Sequence, residues 1–162
     1  MNTEIKIDLD KFTFQAKREF NAPISLVWLA YTEKELLDQW WAPKPWKTET
    51  KSMDFQPEGK WIYDMVGPEG ERHGAIQIFK EIVFEEYFSG IDAFADDQGN
   101  IIEAMPIAIW KNTFIETETG TLVIVDATYP NKQALEIVIE MGMDKGVTAA
   151  HDNLTELLNK II

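Results

Sequence analysis

The groups that could do chemistry in this sequence are two histidines, a few carboxylates set into apolar strands, and an aromatic set. His73 and His151 are the only imidazoles, and the chain has no cysteine. Thiol catalysis and cysteine-based zinc sites are therefore excluded. The two histidines stand far apart in the sequence, so a histidine-rich metal centre is excluded and no metal is expected. Each reads as an ordinary surface or partly satisfied side chain before it reads as a proton shuttle. No G-x-S-x-G elbow, phosphate-cradling glycine loop or H-E-x-x-H pair occurs. Asp96-Asp97-Gln98-Gly99-Asn100 lacks the carboxylate spacing of a calcium loop and reads as a turn. Asp64 and Asp126 each interrupt an apolar strand, and Glu116 ends one. Turned inward, any of them would have its pKa raised by burial and become a general acid or base, with Tyr63 as a second proton carrier. Turned outward, each is a solvated side chain, and the alternation of Asp64 with Trp61, Tyr63 and Met65 favours that placement.

The aromatic set carries a different kind of site. Trp61, Tyr63, Met65, Phe88, Trp110 and Phe114 fall at strand positions that can face one helix. Gly146, Ala150 and Asn153 lie on or beside the apolar stripe of that helix. Small residues on a helix opposite large ones on a sheet leave a void, or else let the helix pack closer. Trp41 and Trp46 flank a proline-rich turn suited to a cavity mouth.

These positions depend on the elements that hold them. Residues 11–20 alternate Phe12, Phe14, Ala16 and Phe20 against polar neighbours, the period of a half-buried strand. Asn21-Ala22-Pro23 supplies a capping residue and a proline suited to a first helical turn, followed by a helix with Ile24, Val27, Trp28 and Tyr31 on one face. Thr32 and Glu35 form a T-x-x-E capping box for a second short helix running to about Trp41. Pro43 and Pro45 end it. Strands are then expected at 47–55, 60–66, 72–82, 85–91, 107–117 and 121–129, with tight turns around Gly59, Gly67–Gly70 and Gly120. Residues 92–106 read as one long irregular stretch. After Pro130 the period changes, Asn131 caps a short helix, Gly142 interrupts it, and a longer helix runs to the end.

This order is an α+β pattern: a curved antiparallel sheet of six to seven strands around a long C-terminal helix, with two short helices after the first strand. One amphipathic helix fills less volume than such a sheet encloses, so the layout leaves room for a pocket. Residues 1–162 read as one domain, without repeats or linker.

Acidic residues outnumber basic ones by 28 to 15, a net charge of −13. A polyphosphate partner would be repelled, and no basic cluster offsets that locally, which argues against nucleic acid and anionic membranes. The first residues lack the basic and apolar runs of a signal peptide, and no stretch is long enough for a membrane helix. With cysteine absent, the expected compartment is the reducing cytoplasm.

Several blocks resemble a known family. They are Arg18-Glu19-Phe20, the Ala22-Pro23 helix start, the Thr32 to Leu36 segment and Trp40-Trp41-Ala42-Pro43. Gly59-Lys60-Trp61, Gly67-Pro68-Glu69-Gly70, Asp92 to Asp96 before Gly99, Thr121-Leu122-Val123 and Gly142 to Gly146 add to them. The sequence is similar to the activator-of-heat-shock-protein-90-ATPase-like family, within the START and birch-pollen-allergen-like (SRPBCC) superfamily. It departs from the pattern at Ala42, where the family commonly has glycine. The resemblance implies a helix-grip fold and, for the superfamily, an internal cavity that binds lipids or other hydrophobic molecules. It supplies no catalytic motif and implies no cofactor. The co-chaperone role and its link to the stress response belong to members with an additional N-terminal domain, which this sequence lacks.

The resulting expectation is a non-enzymatic carrier or sensor of an apolar small molecule, lipid-like or polyketide-like. Its binding residues would be Trp41, Trp61, Tyr63, Met65, Phe88, Trp110, Phe114, Gly146, Ala150 and Asn153. A cyclase, dehydratase or hydrolase using a cavity carboxylate or tyrosine is the alternative. A co-chaperone-like module with a chaperone partner is a third, and homodimerisation stays open beside all three.

Overall fold

Trp61, Tyr63 and Met65 alternate with Lys60, Ile62 and Asp64 along strand β4 (Lys60–Val66), and that period of two sets which face of the sheet meets the core. In the computed structural model, which describes residues 2–161, β4 belongs to one eight-stranded antiparallel sheet. The other strands are β1 (Glu4–Asp8), β2 (Thr13–Phe20), β3 (Lys47–Met53), β5 (Arg72–Val83), β6 (Tyr87–Ala95), β7 (Ala108–Glu116) and β8 (Thr121–Thr128). Their spatial order is β1-β2-β8-β7-β6-β5-β4-β3. The chain thus runs as a meander from β3 to β8 and closes by pairing β8 with β2. Helices α1 (Ile24–Thr32) and α2 (Lys34–Trp40) bridge from one edge region to the other, and α3 (Lys132–Glu140) leads into the long α4 (Met143–Ile161).

The α+β helix-grip architecture agrees with the sequence reading, and the strand count is eight where six to seven were expected. The extra strand is β1, in which Ile5 and Asp8 are half-buried and Glu4, Lys6 and Ile7 are exposed. Such a short, polar edge strand is held by its ladder to β2 and carries almost no hydrophobic signal of its own. Strand β6 also runs further than expected, to Ala95, so the irregular stretch begins only at Asp96. The loop that follows folds back over the outer face of the sheet. There Ile101 and Ile107 pack on Ile76, Ala93 and Ala95 as a second, smaller apolar cluster.

Two expected caps are not used. Thr32 closes α1 by donating its hydroxyl to Trp28 O at 2.8 Å, and α2 starts at Glu33 without a side-chain cap. Likewise Pro23, not Asn21, stands at the cap position of α1. Asn131 does cap α3, accepting from Ala134 N at 2.8 Å. Gly142 (φ 89°) breaks α3 from α4, a left-handed conformation that costs glycine nothing.

The main core lies between the inner face of the sheet and helices α1, α2 and α4. One end is filled by rings: Trp28 packs edge-on against Phe55, Phe84, Phe88 and Phe114, and Phe88 reaches Trp110. Helix α4 divides into two halves. Leu154, Leu157 and Leu158 of its C-terminal half are buried in the core. Gly146, Val147 and Ala150 of its N-terminal half present little side chain to the same sheet, and there the interior is open.

Candidate ligand cavity

Opposite that N-terminal half lies a cavity of about 380 Å³, within the size range of small-molecule sites. Most of its wall is apolar. Strands β4 to β8 form the floor, β2 contributes Phe14, and Tyr31, Trp40, Trp41 and α4 form the roof. His73 and Met141 are its exposed lining residues and mark the mouth, near the β4–β5 hairpin and the α3–α4 junction.

Six residues singled out from the sequence meet here: Trp41, Tyr63, Met65, Trp110, Gly146 and Ala150 all line the cavity. Tyr63 accepts a hydrogen bond from Trp41 Nε1 at 3.0 Å, which fixes the phenol against the indole. Trp61 is fully buried behind this pair, stacked on the Tyr63 ring at 4.0 Å, with Nε1 donating to Thr50 Oγ1 at 3.0 Å. Phe88 and Phe114 belong to the ring cluster at the filled end. Asn153 is also outside the lining; its Nδ2 donates to Ala42 O at 2.9 Å and ties α4 to the turn after α2. Trp46 lies outside too, packed against His73 with ring centroids 5.4 Å apart. Ala42 sits there without a left-handed backbone, so the methyl that replaces the usual glycine of the family pattern imposes no strain.

Trp110 owes its position to the strand beside it. Gly90 is its direct cross-strand partner, and any Cβ at residue 90 would run into Ile78 O and the Trp110 ring. At Gly146 the situation is reversed. A Cβ there would meet only Pro43 Cγ, at 3.9 Å, so the glycine leaves volume empty that a side chain could occupy.

The three carboxylates weighed from the sequence all point away from the cavity, the placement that reading favoured. Asp126 is exposed and accepts from Gln15 Nε2, and Glu116 is exposed as well. Asp64 is on the outer face as expected, but it is buried, under Arg72 at 3.0 Å and Lys51 at 3.5 Å. Asp92 is the one carboxylate that lines the cavity. It was hidden by ending the strand at Ile91. The alternation Phe88, Gly90, Asp92, Phe94, continued two steps further, places it inward. Burial pushes its carboxyl up to about 7, against a weaker opposing effect of the Ala93 backbone. No basic group pairs with it among the described residues. Gln77 faces it directly across the β5–β6 ladder, and Asn112 lies on the same wall. Burial also raises the Tyr63 and Tyr129 hydroxyls, with the Asp92 charge adding to both. Tyr31 Oη and Trp110 Nε1, both on cavity-lining residues, have no hydrogen-bond partner.

His151 is buried and lines the cavity. It shares a 2.9 Å hydrogen bond with Thr3 Oγ1 and lies edge-on to Phe20. Burial, with help from the Arg18 charge, pulls its pKa down to about 4, so the ring is neutral near pH 7. Among the described residues, no three His, Cys, Asp or Glu side chains group as metal ligands, and no helix is long and apolar enough to cross a membrane.

The sequence pattern of the Activator of Hsp90 ATPase homolog 1-like protein family matches residues 21–159. The chain belongs to that family. Structures similar to this family member include protein Ms6760 from Mycobacterium smegmatis, 30% identical with a TM-score of 0.90, covering 98% of this chain and 97% of that one. A protein from Arthrobacter aurescens superposes with a TM-score of 0.91 at 24% identity, over 97% of this chain and 91% of the other. Protein NE0264 from Nitrosomonas europaea is 27% identical, with a TM-score of 0.80 over 93% and 96%. No curated protein matches the chain.

Proposed function

We propose that this chain binds an apolar small molecule in the cavity between α4 and the sheet, as a carrier or sensor. The observation that carries the reading is the cavity of about 380 Å³, mostly apolar, kept open by small residues on α4. A ligand that buries about 200 Å² of apolar surface there gains roughly 5 kcal/mol before the costs of association are subtracted. Trp41, Tyr63, Met65 and Trp110 supply the wall. Trp61, Phe88, Phe114 and Asn153 act one layer behind, holding that wall in place. The test is Gly146→Leu, which adds a side chain into the open volume on a helix that tolerates it. Wild type is expected to bind an apolar fluorescent probe and the variant to lose that binding while keeping its circular dichroism. Equal binding by both would overturn the reading.

A second reading, an enzyme of cyclase, dehydratase or hydrolase type, is favoured by Asp92, a carboxyl raised to about 7 beside open volume and near Tyr63. A group that changes protonation near neutral pH is suited to proton transfer. Turnover of a bound compound that disappears in Asp92→Asn, with binding retained, would support it. Turnover unchanged in that variant would exclude Asp92 as the shuttle. The location we take to be cytoplasmic, testable by fractionation. A homodimer and a chaperone partner are separate proposals, for sedimentation and for pull-down with Hsp90.

A further inference from the structure

Buried charges in proteins are paired, because an unpaired one loses its hydration without compensation. This chain follows the rule at Asp64, which has two cations over it. Asp92, half-buried in the cavity wall, has no such partner. None of the ion pairs among the described residues includes Asp92, and no lysine or arginine lines the cavity. The direct cross-strand neighbour of Asp92 is Gln77, 6% exposed, which offers an amide oxygen and takes part in no side-chain hydrogen bond among the described residues. Around this polar spot stand the faces and edges of Trp41, Tyr63 and Trp110. An unpaired carboxylate beside an amide oxygen, in a cavity walled by aromatic rings, is the chemistry that recognises an organic ammonium group. Such a group has up to three N–H donors, and its charge is attracted to aromatic faces.

We infer that the cavity accepts an apolar amine, its ammonium group held by Asp92 and its hydrocarbon body laid against the aromatic wall. The inference rests on the binding reading above and names the ligand class for it. The charge of the whole chain, −13, works in the same direction, drawing cations toward the mouth and repelling carboxylates. The volume suits a compact ligand, since it equals that of about a dozen liquid waters. A neutral carbonyl compound accepting a proton from an uncharged Asp92 is the competing chemistry. It leaves the amide oxygen of Gln77 without a donor, whereas an ammonium group has N–H donors for both that oxygen and the carboxylate.

The experiment is isothermal titration at pH 8 with four compounds of one skeleton: 4-phenylbutylamine, 4-phenyl-1-butanol, 4-phenyl-2-butanone and 4-phenylbutyrate. Wild type is expected to bind the amine at least tenfold tighter than the alcohol and the carboxylate most weakly. Asp92→Asn, which keeps the size and shape of the side chain, is expected to bind amine and alcohol alike. The inference is overturned if amine and alcohol bind wild type equally, if the ketone is the tightest ligand, or if Asp92→Asn keeps the amine preference. The comparison within wild type stands even if the variant is poorly folded. If the alcohol binds and the amine has no advantage, only the ligand class is wrong. If none of the four binds, the cavity reading fails with it.

Discussion

Asp92→Asn should make the protein more stable at alkaline pH and leave it nearly unchanged in acid. In the unfolded chain this carboxyl ionises near its ordinary 3.8, while in the fold it keeps its proton until about 7. Between those values the unfolded state binds fewer protons than the folded state. Stability is therefore full below about pH 4, declines as pH rises, and levels off above 7. At about 1.4 kcal/mol per pH unit the loss has an upper bound of about 4.5 kcal/mol. Water admitted through the mouth will lower that figure, and about 2–4 kcal/mol is the expected range. Asparagine cannot ionise, so the variant escapes the loss. His151 titrates with the opposite consequence: held down to about 4, it takes up a proton more readily in the unfolded chain, so stability falls as pH drops from 6.5 toward 4. The two slopes oppose each other, and the wild-type profile should be nearly flat from pH 4 to 6.5. The variant, left with His151 alone, should gain stability steadily over the same range. Urea unfolding of both proteins at pH 4.5, 6 and 8 measures this, with m-values checked for equality. A stability difference that changes by less than about 0.5 kcal/mol between pH 4.5 and 8 would refute an uncompensated carboxyl in the cavity, since surface substitutions fall within that range.

Two other outcomes are expected. Gly90→Ala places a methyl against Ile78 O and the Trp110 ring, and should cost about 2–3 kcal/mol in denaturant unfolding, with reduced probe binding as Trp110 shifts. Arg18→Met removes a guanidinium that reaches Asp152 at 2.7 Å, Thr155 at 3.0 Å and Thr3 at 3.1 Å. It should cost about 2 kcal/mol, modest because Asp152 is largely solvated, and should raise the His151 pKa in an NMR titration, since Arg18 is one of the two influences holding it down.

The architecture was legible because its signals are periodic and long. The alternation of Trp61, Tyr63 and Met65 gave both β4 and its facing, and the three-four spacing of Leu154, Leu157 and Leu158 gave α4. The mismatch between small residues on the helix and large ones on the sheet was legible, but it allowed a void or a closer-packed helix alike, and only the packing in three dimensions separates the two. Which aromatics border the cavity was only half legible. Trp61, Phe88 and Phe114 sit on the same inner face as Tyr63 and Trp110, and period-two alternation cannot distinguish positions along a strand that meet a filled end from those that meet open volume. Asp92 was missed because a polar residue near a strand end reads as the start of a loop. Asp64 drew attention for interrupting a strand, yet its partners, Arg72 from β5 and Lys51 from β3, come from neighbouring strands that a one-dimensional pattern does not join.

The division of α4 into a leucine-packed half and a glycine-alanine half separates two tasks that many small domains load onto the same residues. Anchorage of the rod depends on Leu154, Leu157 and Leu158, while capacity depends on positions 146, 147 and 150, a turn or more away. Substitutions at 146 or 147 should combine almost additively with those at Leu157 or Leu158, whereas Ala150 and Leu154, one turn apart on the same face, are close enough to couple. A sequence drifting under selection could then enlarge, shrink or reshape its interior by editing a single helical turn, with the clasp that holds the rod against the sheet left untouched.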